Sequence, residues 1–218
     1  MSTGLGCNAF VCAGALVLVA NELPDAQKTD VLNALLYAQT VADRNVADFS
    51  AIASWNQARN RALSMTGALL LGEPEIHFPV PAPASFTLLT LAQQAMHRVN
   101  PAMAVVADGW LQGLRLEQPP AALQVLEKHV VKEEKWVRFL LTLVSAQASI
   151  STVVICFQAA DLREASVIQR RFSAEALIGN MSISASKALL ESEDYDFSRA
   201  AILSLLGKRC LEQIVGLT

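Results

Sequence analysis

"KWVRFLLTLVSAQASISTVVICFQA", residues 135–159, is the stretch on which the fold turns. Two runs rich in β-branched and aromatic residues, 135–147 and 149–159, meet at a short join of small and polar residues. They read as two paired strands. Two further strand-like runs follow, "ASVIQRRFS" at 165–173 and "EALIGNMSISAS" at 175–186.

Upstream of Lys135 the texture is helical. Val31, Leu35, Ala38 and Ala42 recur at helical spacing, and Leu32 and Leu36 widen the stripe. A second helix steps through Ile52, Trp55, Ala58, Ala62, Met65 and Leu69, and Gly72 and Pro74 stop it. The proline-rich "GEPEIHFPVPAPAS", residues 72–85, reads as an extended connector lying against the body. Ser85 then caps a helix with Leu88, Leu89, Ala92, Met96 and Val99 inward. A segment restarts at Pro101, and another helix begins near Pro119 or Pro120, with Leu123, Leu126 and Val130 on one face. The chain closes on a helix with Ile202, Leu206, Cys210 and Ile214 at four-residue steps. The expectation is therefore a single α+β domain over residues 1–218. A helical part (about 25–134) packs on one face of an antiparallel β-meander (about 135–187), and a C-terminal helix (about 196–215) follows. The "LLYAQTVADR" helix, Trp55 in the next helix and the late strand-rich half resemble a group of uncharacterised small microbial α+β proteins. That resemblance supports the order of elements and brings no functional residues with it.

Composition narrows the function classes. Hydrophobic residues make up 53% of the 218 and charged residues 17%, against about 25% charged in an average soluble domain. The chain therefore buries unusually much or exposes apolar surface. The net charge of −3 and the lack of a clustered basic face exclude nucleic acid as an expected partner. The four cysteines, Cys7, Cys12, Cys156 and Cys210, show no metal-ligand spacing, and no nucleotide loop, nucleophile elbow or zinc-protease motif occurs. No cofactor and no metal is expected. The apolar opening "GLGCNAFVCAGALVLVANELP", residues 4–24, lacks the basic flank, unbroken length and cleavage site of an export or membrane segment. It reads as a buried strand near 15–20, and the default compartment is the cytoplasm, with peripheral membrane association or non-classical secretion as variants.

Five groups of residues carry the chemical alternatives. Glu73, Glu75 and His77 alternate on an extended segment, as acid/base groups or metal ligands would. Asp108 interrupts an apolar run, where burial would raise its pKa, although Asp-Gly is also a turn pair. His97 falls near a helix C-terminus, and His129 and Glu133 are four apart, like a surface pair on a helix. Cys210 follows Lys208-Arg209, a context for lipid attachment. The leading expectation is a non-enzymatic binding protein using an apolar surface or cavity, its partner an apolar ligand, a membrane surface or another protein. The alternatives are an S-acylated membrane-associating effector modified at Cys210, and an enzyme using Asp108 or the Glu73/Glu75/His77 group.

Overall fold

The computed structural model describes residues 6–77, 84–113, 121–160, 162 and 166–217. Strands β1 (Cys7–Cys12) and β2 (Ala15–Ala20) form a hairpin. Its two-residue turn holds Ala13 at φ +49°, a conformation costly for a residue with a Cβ. Gln39 supports it: the Gly14 N–H donates to Oε1 at 3.2 Å, and Nε2 donates to the Cys12 carbonyl at 3.0 Å. Helices α1 (Asp25–Asn45) and α2 (Ile52–Met65) follow, then strand β3 (Leu69–His77). A short strand β4 (Ser85–Phe86) leads into α3 (Leu88–Val99), α4 (Pro101–Gly113) and α5 (Ala121–Val130). Thr87, between β4 and α3, caps the helix through a reciprocal pair of bonds with Thr90.

The strand-rich half comprises β5 (Val131–Lys132), β6 (Trp136–Val144), β7 (Ser149–Ala159), β8 (Phe172–Ser173) and β9 (Leu177–Leu189). Then come α6 (Ser192–Leu206), α7 (Arg209–Gln213) and a last strand β10 (Ile214–Leu217). The main sheet runs β10-β1-β2-β6-β7-β9-β3, with β5 also paired to the start of β6, and β4 and β8 form a separate ribbon. Strands β6, β7 and β9 pair antiparallel as three of the four strands of the expected meander, the fourth lying in the β4–β8 ribbon, whereas β2 and β6 pair in parallel from Ala15↔Leu140 to Val19↔Val144.

Alternation along β6 explains how the helices are distributed. Val137, Phe139, Leu141 and Leu143 point into a core shared with α3, α4 and α5. Leu140 and Val144 point the other way, into a second core with α1, α2 and α6. Each fully buried side chain of this size contributes about 1.5–3 kcal/mol, and β6 contributes on both faces.

The fold is thus mixed α and β on a mostly antiparallel sheet, and it departs from the expectation at several points. Helices cover both faces of the sheet rather than one. The strand expected near 15–20 is β2, which with β1 lies inside the sheet, and strands β3 and β4 interrupt the helical part. Leu69 leaves α2 and begins edge strand β3, because Thr66 and Gly67 end the helix; Gly67 has φ +93° and lies so close to Asp194 that a Cβ there would clash. The C-terminal helix also stops early. Gly207, at φ +53°, ends α6 at Leu206, and Ile214 enters β10 opposite Cys12. Strand β8 is two residues of the run expected at 165–173. No described helix is long and apolar enough to cross a membrane.

Candidate functional site

The two faces of the sheet differ in chemistry. Facing α3–α5, the aromatic rings of Phe86, Phe157 and Phe172 pack with centroids 5.1–5.8 Å apart. Facing α1 and α2, polar side chains are buried. Arg59 on α2 is 1% exposed. It donates to Thr152 at 3.0 Å, Asn60 at 3.0 Å and Ser186 at 3.2 Å, while Asn56 donates to Ser184 at 2.7 Å. These bonds offset part of the cost of burying polar groups, and they fix α2 over β7 and β9.

At the end of this face lies a second buried cation. Arg138 on β6 is 4% exposed. Its guanidinium is held between the ring of Phe49 at 3.9 Å and that of Trp55 at 4.0 Å. Asp43, near the end of α1, accepts from Arg138 Nη2 and, at 2.7 Å, from the Trp55 indole N–H. Arg138 Nη1 has no hydrogen-bond partner among the described residues. Together with Phe49, Arg138 lines a cleft of about 220 Å³ that also takes in Lys128, His129 and Lys132. A neighbouring cleft of about 290 Å³ shares Ala47, Phe49 and Lys132 and adds Asp48, Glu133 and Trp136. Burial, the main cause, together with Arg138 and Lys128, holds His129 below its ordinary pKa; Asp43 acts in the opposite sense. Glu133 and Glu134, which form the rim turn, have φ +54° and +55°. The Lys135 N–H closes that turn onto the Lys132 carbonyl at 3.2 Å. Two successive positive φ angles are the type I′ signature, which favours Asn-Gly; glutamates there are strained.

A third feature is on the surface. Tyr195, Ile202 and Leu206 bury one side of α6. Arg199 binds Asp30 of α1 with both carboxylate oxygens, at 3.0 and 2.6 Å. At 100° per residue the opposite side carries Glu193, Phe197, Ala200, Ala201 and Ser204, with Asp194 and Asp196 toward its edges and Leu203 and Leu205 just beyond them. Phe197 is 93% exposed, and Leu211 just beyond is 85% exposed.

The sequence-level candidates are scattered. Cys210 sits in α7, half-buried against the core under α1 and α6, and lines none of the described clefts. Burial raises its thiol pKa, so it is no activated thiolate. Asp108 lies inside α4 rather than at a turn or helix break. Its carboxylate accepts from Gln93 at 3.1 Å and pairs with His97 Nε2 at 2.7 Å, tying α3 to α4. The two residues read separately from the sequence thus form one contact, which lines none of the described clefts. Glu73, Glu75 and His77 stand on the backbone of β3, and their side chains lie outside the described residues. Glu133 is in the rim turn and not one helical turn from His129, because α5 ends at Val130. Among the described residues no three His, Cys, Asp or Glu side chains gather as metal ligands would.

Sequence reasoning missed Arg138 and Phe197. The available signals were an arginine inside the apolar run "WVRFLLTLV" and an uncharged stretch, "AAILSLL", following a phenylalanine near the start of a helix.

No protein-family model matches the chain, and no curated protein does. Among solved structures the chain is similar to that titled "Structure of the Evf virulence factor", at 10% sequence identity and a TM-score of 0.35, covering 93% of this chain and 84% of that one.

Proposed function

We propose that this chain is a non-enzymatic binding protein whose docking surface is the outward face of α6 with Leu211 beyond it. The observation that supports this most is Phe197, 93% exposed, on a helix side continued by Ala200, Ala201 and Ser204 with no charged residue on that side after Asp196. A solvated helix face ordinarily carries charge there. Scattered exposed apolar residues need no explanation, but Phe197, Leu203, Leu205 and Leu211, exposed together along one helix and the turn after it, suit a partner.

The partner is a second copy of the chain. Glu193, Asp194 and Asp196 lie at one end of the face, and Lys208 and Arg209 at the other. A two-fold axis across α6 sets each acidic end against a basic end, and Ala200 and Ala201 let the helices approach closely. A bilayer fits less well. Residues 192–213 hold four carboxylates against three cations, whereas surface-binding helices are rich in Lys and Arg.

Sedimentation velocity across the micromolar range tests this reading. The expected result is a dimer that dissociates on dilution, and a Phe197→Asp variant that is monomeric with an unchanged urea midpoint. A wild-type monomer at every concentration overturns the reading, as does a dimer indifferent to Phe197→Asp or binding to anionic vesicles in place of self-association.

A further inference from the structure

We propose that the cleft beside Arg138 is a binding site for a phosphate dianion, with Arg138, Lys128 and Lys132 as its ligands. This site is independent of the α6 surface. A guanidinium has two faces and an edge of N–H donors, and each needs a partner when buried. The faces of Arg138 are covered by Phe49 and Trp55. Stacking satisfies the faces but leaves the in-plane N–H groups needing acceptors. Asp43 takes Nη2, and Nη1 has no acceptor among the described residues. A buried orphan donor on a cation is costly unless something with a lone pair arrives.

The surrounding charge selects what arrives. Around the first cleft the fixed charges are the cations of Lys128, Lys132 and Arg138 and one carboxylate, Asp43. The positive excess of two matches a phosphate monoester, which carries about −1.5 to −2 at neutral pH. A carboxylate would leave part of it unbalanced. Lys132 also lies 5.2 Å from the Phe49 ring centroid and donates to the Ala47 carbonyl, so it is already turned toward this end of the sheet. About 220 Å³ is small for a whole metabolite but ample for a phosphate group. The adjoining cleft offers Phe49 and Trp136 to whatever the phosphate is attached to, and its carboxylates, Asp48 and Glu133, border that second part. The strained Glu133-Glu134 turn sets the start of β6, with Trp136, at this rim. Strain at a ligand rim is a recurrent device for holding a site in shape.

His129 supplies an independent readout. Burial, with Arg138 and Lys128, disfavours its protonated form. The negative charge of a bound dianion acts in the opposite sense, so phosphate binding must raise the His129 pKa by linkage.

Calorimetric titration with phenyl phosphate and inorganic phosphate tests the proposal, with acetate as the monoanion control. Saturable binding of a phosphate and none of acetate is expected. Tighter binding of phenyl phosphate assigns the site to esters, and equal affinity assigns it to free phosphate. Arg138→Lys keeps the charge but loses the planar fork, and should weaken binding about tenfold or more. The double variant Lys128→Gln/Lys132→Gln should weaken it about two- to tenfold without touching the Arg138–Asp43 pair. That double variant decides the question if Arg138→Lys fails to fold. In NMR titrations the His129 ring resonances should shift toward higher pKa with phosphate present. No binding of either phosphate at millimolar concentration overturns the proposal, and so does binding that is unchanged in the lysine double variant.

Discussion

The two faces of the central sheet are built from the same strands and do different work. On the side of α3–α5 the inward positions of β6 are Val137, Phe139, Leu141 and Leu143. On the side of α1, α2 and α6, the alternate positions of the same strand are Arg138, Leu140, Thr142 and Val144. The first face is held mainly by packing. The second is held by packing plus a set of directional bonds from Arg59, Asn56 and Arg138. Apolar packing tolerates small shifts, whereas hydrogen-bonded buried cations accept few geometries. The polar face is therefore the one that fixes position, and the cleft with the orphaned donor lies at its end.

The sharpest way to break this comparison is to remove one anchor from each face. Phe157→Ala empties the middle of the aromatic triad and should cost about 3–5 kcal/mol. Arg59→Met keeps much of the volume but removes the donor to Thr152, Asn60 and Ser186, and should cost about 1–3 kcal/mol. Urea denaturation of both variants checks the order. If Arg59→Met proves the costlier, packing does not dominate the first face in the way described.

A smaller effect of opposite sign is expected at the rim. Replacing Glu133-Glu134 by Asn-Gly relieves two left-handed backbone conformations and should stabilise the fold by about 1–2 kcal/mol. A fall in the urea midpoint would show that the glutamate side chains matter more to this turn than its backbone does.

The smallest effect is in the pH dependence. His129 is held below its ordinary pKa chiefly by burial. Above about pH 6.5 both folded and unfolded histidine are neutral, and the group contributes nothing to the slope. As pH falls below that value the unfolded chain takes up the proton first, so stability declines until the folded pKa is reached. His129→Gln should flatten this part of the acid limb. Urea midpoints of the two proteins between about pH 7.5 and 5 check it; parallel curves would show that His129 has no part in the acid limb.

Much of this fold is legible in the sequence, for reasons that differ between elements. Helices α1, α2 and α3 announce themselves by apolar spacing, and β7 and β9 by β-branched texture. The near-continuous apolar run of β6 is also the mark of a strand covered on both faces, which is why helices on one side only was the wrong expectation. Strand β3 is hidden because Leu69 continues the helical spacing of α2, and only the contact of Gly67 with Asp194, far along the chain, explains the break. Strand β10 is four residues long and takes its identity from pairing with β1. Of the site, Lys128, His129 and Lys132 are unremarkable polar residues in sequence. They become a cleft only because α5 ends at Val130 beside Arg138, and that juxtaposition is a property of tertiary packing.

The parallel pairing of β2 with β6 has a consequence for synthesis. Ala15 meets Leu140, so the apolar hairpin β1–β2 leaves the ribosome long before its neighbour exists. At about 5–20 residues per second the wait is roughly 6–25 s. During that interval "ALVLVA" is paired only with β1 and its other edge is open, the kind of edge that associates with other chains. The yield of folded protein should therefore depend on how quickly β6 follows.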